Sequence, residues 1–122
     1  MNTFNENISP HVDRELQRAA EVEFGGQPLA AFVHLERAHV LGQASTYQHV
    51  RVHLQMFAWG WRQGRARECV GQILRIVGAS TKTVFGLVPS GNTGGSNISP
   101  FKSLPVEPEL AMLIQHAQSR AK

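Results

Sequence analysis

Glu36, His39, His49 and His53 are the residues of this chain whose types and spacing can do chemistry. Glu36 and His39 stand three apart and His49 and His53 four apart, and both spacings bring side chains to neighbouring positions on one helix face. Three imidazoles and a carboxylate form a ligand set for a borderline divalent ion such as zinc, iron, manganese, nickel or copper. A Glu-x-x-His element also occurs in carboxylate-bridged di-iron bundles, where it appears twice beside two further glutamates. Here Glu36-x-x-His39 faces a His-x-x-x-His element instead, which predicts a mononuclear site. The same groups could form a hydrogen-bonded network, with Glu36 accepting from His39 and His53, or serve acid–base catalysis. Spacing reveals no nucleophile and no paired acid and base, so no enzymatic activity is assigned.

Two antiparallel helices must carry these groups. Pro28 opens a helix that lasts to Gly42, and steps of 100° gather Phe32, Leu35, Glu36, His39 and Gln43 on one side. His34 and Arg37 point elsewhere. Ala44, Ser45 and Thr46 make a short turn, with Ser45 or Thr46 capping the next helix, 46–62. That helix is expected to bury His49, Val50, His53, Met56, Phe57 and Trp61, leaving Gln48, Arg51, Gln55 and Arg62 on its other face. Residues equally far from the turn face each other. His39 is then level with His49, and Glu36 or Leu35 with His53.

The remaining elements frame this hairpin. A first helix over 10–24 is expected from Ser9 as N-cap and Pro10 at its first position. Val12, Leu16, Ala19, Ala20 and Phe24 run along one side of it, and Gly25-Gly26 ends it. Glu23 falls on that apolar side, whereas Glu15 and Glu21 do not. A fourth helix, 65–81, is expected to bury Cys69, Val70, Ile73, Leu74, Ile76 and Val77, with Glu68, Gln72 and Arg75 on the opposite side. Glu23 or Glu68 could add an oxygen to a metal, and Glu23, Gln43 or Glu68 could hold a ligand from behind. Cys69 reads as a small core residue. His11 and His34 read as flank or surface residues.

Residues 84–107 are rich in Gly, Pro, Ser and Asn and predict an irregular strap that wraps the bundle through Leu87, Val88, Ile98, Phe101, Leu104 and Val106. Within it, Gly91, Asn92, Thr93, Gly94 and Gly95 can turn backbone N–H groups inward as an anion nest or a lid over the site; the alternative is a tight structural turn. The lysine of a nucleotide P-loop is missing there. A short last helix over 108–118 turns Leu110, Leu113 and Ile114 inward, with His116 in its fraying end. The expected architecture is a single all-α domain over 1–122, a four-helix bundle-like arrangement of antiparallel hairpins with a C-terminal strap and short final helix.

Composition narrows the setting. A chain of 122 residues with 42% hydrophobic content fits one domain. Cys69 is the single cysteine, so a Cys-rich zinc site and an intramolecular disulfide are excluded. That suits a reducing cytosol, and a cytoplasmic location is expected. The opening MNTFNENISPHVDREL lacks a basic start and apolar core, so no signal peptide is expected. No apolar run approaches the roughly 20 residues of a membrane span. The net charge is only +3, and Arg51, Arg62, Arg65 and Arg67 read as a solvated face, not as a nucleic-acid footprint. Ala19, Ala31, Leu35 and Ala38 echo one half of a tetratricopeptide hairpin without the Trp, Gly and Tyr of its other half. The rival to a metal protein is therefore a helical-hairpin module for a protein partner, its histidines forming a structural network.

Taken together, HLERAHVLGQ (34–43), HVRVH (49–53), RECVGQILRIVGA (67–79) and VPSGNTGGSNISPFKSLP (88–105) resemble a family of small bacterial proteins of unknown function, over Ala30 to Leu110. The resemblance implies a tendency to accompany heavy-metal resistance genes. The resemblance implies metal homeostasis, sensing or resistance, and carries no activity with it. It does not extend to the N-terminal helix that bears Glu23.

Overall fold

In the computed structural model, residues 3–85 and 105–121 are described, those at 79–85 by backbone alone. They form an all-α structure with no strand among the described residues: α1 (Phe4–Phe24), α2 (Pro28–Gly42), α3 (Thr46–Arg62), α4 (Ala66–Phe85) and α5 (Pro108–Ser119). α1 packs along α2 and α3 along α4; α2 against α3 joins the two pairs, and α5 rests on α1 and α2. Most of the strap expected over 84–107, with the Gly91–Gly95 loop, lies outside the described residues. Its first two positions belong to α4 and its last three precede α5.

α1 starts earlier than Ser9-Pro10 suggests. Thr3 is its N-cap, the Thr3 hydroxyl accepting from the Glu6 N–H and the Glu6 carboxylate accepting from the Thr3 N–H, both at 3.1 Å. This reciprocal box satisfies two of the donors a helix start leaves open. Pro10 therefore sits inside the helix, where a missing N–H and a ring clash ordinarily cost about 3 kcal/mol. The extra turns offset that cost. Ile8 is fully buried, the Asn5 side-chain oxygen accepts from Ser45 and Gln48, and the Asn7 amide donates to the Ala117 carbonyl at 3.1 Å.

Among the described residues the core comprises Ile8, Val12 and Ala19 of α1, Leu35, Ala38, Val40 and Leu41 of α2, Val52, Met56 and Trp59 of α3, and Leu110 and Ala117 of α5. Three faces differ from the sequence reading. On α1, Glu15 is buried (4% exposed) and Phe24 projects into solvent (97%), because the stripe Ile8, Val12, Glu15, Ala19 is the one that meets α2. The buried carboxylate is compensated: it bonds His34 Nδ1 at 2.8 Å and Arg37 Nε at 3.1 Å. Arg37 also reaches Glu107 at 2.9 Å and Glu109 at 3.1 Å, tying α5 to the pair.

On α3 the buried residues are Gln48, Val52, His53, Met56, Trp59 and Gly60, while Trp61 is 74% exposed. Trp59 donates its indole N–H to the Pro28 carbonyl at 2.9 Å and packs on Phe32, which rotates the buried face toward it and away from Trp61. On α4 the buried side chains among the described residues are Cys69 and Gln72, whereas Val70, Ile73, Leu74 and Val77 face outward. A close approach sets that orientation: a Cβ on Gly60 would lie 3.2 Å from Cys69 Sγ. At the α2–α3 turn a Cβ on Gly42 would lie 2.7 Å from Gln48 Cβ, so glycine lets the two helices close on each other beside the histidines.

Candidate metal centre

Ser45 caps α3, its hydroxyl accepting from the Gln48 N–H at 3.3 Å and donating to Asn5 at 2.8 Å. This anchors the turn from which both histidine-bearing helices diverge. His39 Nε2 and His49 Nε2 stand 2.9 Å apart across the seam. His53, one turn along α3, completes a triangle with ring centroids 4.7, 4.8 and 4.7 Å apart. One ring nitrogen from each lies within 4.8 Å of the others. His39 and His53 are almost wholly buried, so whatever binds there binds away from bulk water.

Around a zinc ion, imidazole nitrogens sit near 2.0–2.1 Å from the metal, hence about 3.3 Å from each other in a tetrahedral shell. The closest pair is about 0.4 Å inside that separation and the others lie at most about 1.5 Å outside it, so holding an ion requires the rings to adjust. Without an ion, one of the paired nitrogens must carry a proton and the other accept it. Three neutral imidazoles suit zinc, copper, nickel and iron better than calcium or magnesium, which want oxygen ligands.

The fourth expected ligand, Glu36, is not one of this group. It lines a cleft of about 610 Å³ with Leu29, Phe32, Trp59, Arg65 and Glu68, and Arg65 lies over the Trp59 ring at 5.4 Å. Three residues back along a helix is about 60° around its axis, and that turn carries Glu36 to the seam's edge. Glu23 is engaged elsewhere: Arg62 holds it through two bonds of 2.7 and 2.8 Å. The guanidinium's hydrogen bonds keep the Glu23 carboxyl below the usual carboxylate range, against the opposing effect of burial. Gln43 is buried at the C-cap of α2. Glu68 accepts from Gln72 at 3.0 Å.

Gln72 is the residue that sequence reasoning missed. Fully buried, it contacts His53 Nδ1 through Oε1 at 2.5 Å. Its four-residue spacing from Glu68 was visible; its neighbour on α3 was not. His34, expected on the surface or flank, pairs with Glu15. His11 has a buried Nδ1 without a hydrogen-bond partner among the described residues. Burial, then the nearby Arg14 and His116 charges, push its pKa down.

The chain belongs to a family described as "Protein of unknown function (DUF3703)", which it matches over residues 6–114. No curated protein and no solved structure matches it.

Proposed function

We propose that this member of a family without an assigned activity binds a divalent transition-metal ion through His39, His49 and His53, in the service of metal homeostasis, sensing or resistance. The observation that carries the reading is the convergence of three imidazoles, one ring nitrogen of each within 4.8 Å of the others, on a buried helix seam. A lone buried histidine is ordinarily just hydrogen-bonded; three meeting at one point support a ligand set. Zinc, copper, nickel and iron are the favoured ions, with manganese less suited to an all-imidazole shell. Glu36, three residues before His39 and lining a cleft, is in this reading the carboxylate that meets an arriving cation or completes its shell. A cytoplasmic setting agrees with the single free thiol at Cys69.

The rival is a helical-hairpin interaction module with a structural histidine network. It is favoured by the 2.9 Å bond between His39 and His49 and by the His53–Gln72 contact, which give all three rings partners without an ion. Elemental analysis of tag-free protein separates the two, alongside the His49→Ala/His53→Ala variant. The metal reading expects near-stoichiometric zinc, iron, copper or nickel, or stoichiometric uptake by metal-free protein, lost in the variant. Protein that takes up none of these ions and gains no thermal stability from them would overturn it.

A further inference from the structure

The two ends of the buried Gln72 amide have chemically different neighbours. Nε2 lies 3.0 Å from Glu68 Oε2, and Oε1 lies 2.5 Å from His53 Nδ1. A carboxylate only accepts hydrogen bonds, so the end of the amide that faces Glu68 must be the NH2 group. The end left for His53 is then the carbonyl oxygen, which cannot donate. The proton between them must therefore reside on His53 Nδ1, and in the neutral ring the lone pair is then on Nε2.

We infer that Gln72, oriented by Glu68, is a positioning residue that fixes His53 as the Nδ1–H tautomer and so makes Nε2 its metal-binding atom. The consequence for metal rests on the reading proposed above; the tautomer does not. His39 and His49 already meet through Nε2, so the relay gives all three rings the same donor atom. An imidazole in the opposite tautomer would have to shed the Nε2 proton, or turn over inside a packed core, before binding. Metal-bound histidines commonly give their second N–H to a carboxylate or a carbonyl. Here a neutral amide carbonyl takes that place and the charged group stands one step behind it.

The test is the nitrogen-15 spectrum of the imidazoles in metal-free protein, read with a zinc titration, for the unaltered chain, Gln72→Met and Glu68→Gln. The expected spectrum of the unaltered chain shows His53 protonated at Nδ1 and unprotonated at Nε2. Gln72→Met, which keeps the volume and removes both polar ends, is expected to give mixed tautomers and about 10–100-fold weaker zinc binding. Glu68→Gln leaves the amide but lifts the constraint on its direction, and is expected to mix the tautomers too. It provides the same readout if Gln72→Met fails to fold. A His53 proton on Nε2 in the unaltered chain would overturn the inference, as would tautomers unmoved in folded variants. Failure of the unaltered chain to bind zinc would defeat the metal reading alone, because the tautomer is read without metal.

Discussion

Gly42→Ala tests the closeness of α2 and α3 where it matters to the histidines. The added Cβ would stand 2.7 Å from Gln48 Cβ and 3.4 Å from Val12 Cγ2. Ordinary van der Waals contact begins near 3.4 Å, so the first neighbour must retreat by about 0.7 Å. Gln48 cannot swing clear, because the atom struck is its Cβ, close to the backbone, and its amide is bonded to Asn5 at 3.1 Å. The helices must part instead. Overpacking of this kind costs about 1–3 kcal/mol. The helix-propensity gain of alanine, at most about 1 kcal/mol, opposes it weakly at a helix end. With an unfolding entropy of about 0.26 kcal/mol per degree for a chain of this length, a net loss near 2 kcal/mol lowers Tm by about 8 °C. Opening the seam by a similar amount stretches the 2.9 Å His39–His49 contact beyond hydrogen-bonding range, so metal uptake should fall with stability. Calorimetry and a metal titration on the same variant check both. A Tm equal to or above that of the unaltered chain would refute the close approach and with it the geometry of the site.

Glu15→Ala should destabilise the protein by about 2–4 kcal/mol in urea unfolding, since it strips a buried carboxylate from His34 and Arg37; a loss below about 0.5 kcal/mol would contradict its burial. Arg62→Met should cost about 1 kcal/mol or less at neutral pH, because Arg62 is half exposed. The lowered pKa of Glu23 means that this contribution is present above about pH 4.5 and disappears as pH falls through the folded value, so stabilities of variant and unaltered chain should converge in acid. His11 carries the opposite charge logic. Its folded pKa is lowered, so the unfolded chain takes the proton first and stability drops as pH falls below about 6.5; His11→Gln should flatten that slope in pH-dependent denaturation curves. Trp61→Ser should lie within about 0.5 kcal/mol of neutral while Trp59→Ser costs several, a contrast that thermal melts resolve and that the sequence reading of α3 would have reversed.

The all-α class was legible because its signals are local: Pro28 and Ser45 sit at helix starts and glycines at the ends. The start of α1 was misplaced although the Thr3-x-x-Glu6 box is in the sequence, since Ser9-Pro10 offered a competing start and only the contacts of Asn5, Asn7 and Ile8 decide between them. The meeting of His39 with His49 followed from their equal distance to the turn. The rotation of α3 and α4 about their own axes did not follow, because both helices are apolar around more than one side. Which side is buried is settled by Trp59 reaching Pro28 and by Gly60 admitting Cys69. The rotation of α4 also brought in Gln72, a neutral polar residue that pattern reading assigns to solvent, while Glu36 on α2 lines the cleft.

Arg37 joins Glu15 on α1 to Glu107 and Glu109 at the start of α5, while the three histidines lie on α2 and α3 and their amide support on α4. In the language of hydrogen exchange, these are two partly separate opening units that share α2. α5, held by Arg37, Leu110 and Ala117, is expected to detach in a sub-global fluctuation that leaves the imidazole triangle closed. Amides of α5 should then exchange well before those around His39 and His53, and an ion held as proposed above would be retained through openings that expose the C-terminal helix.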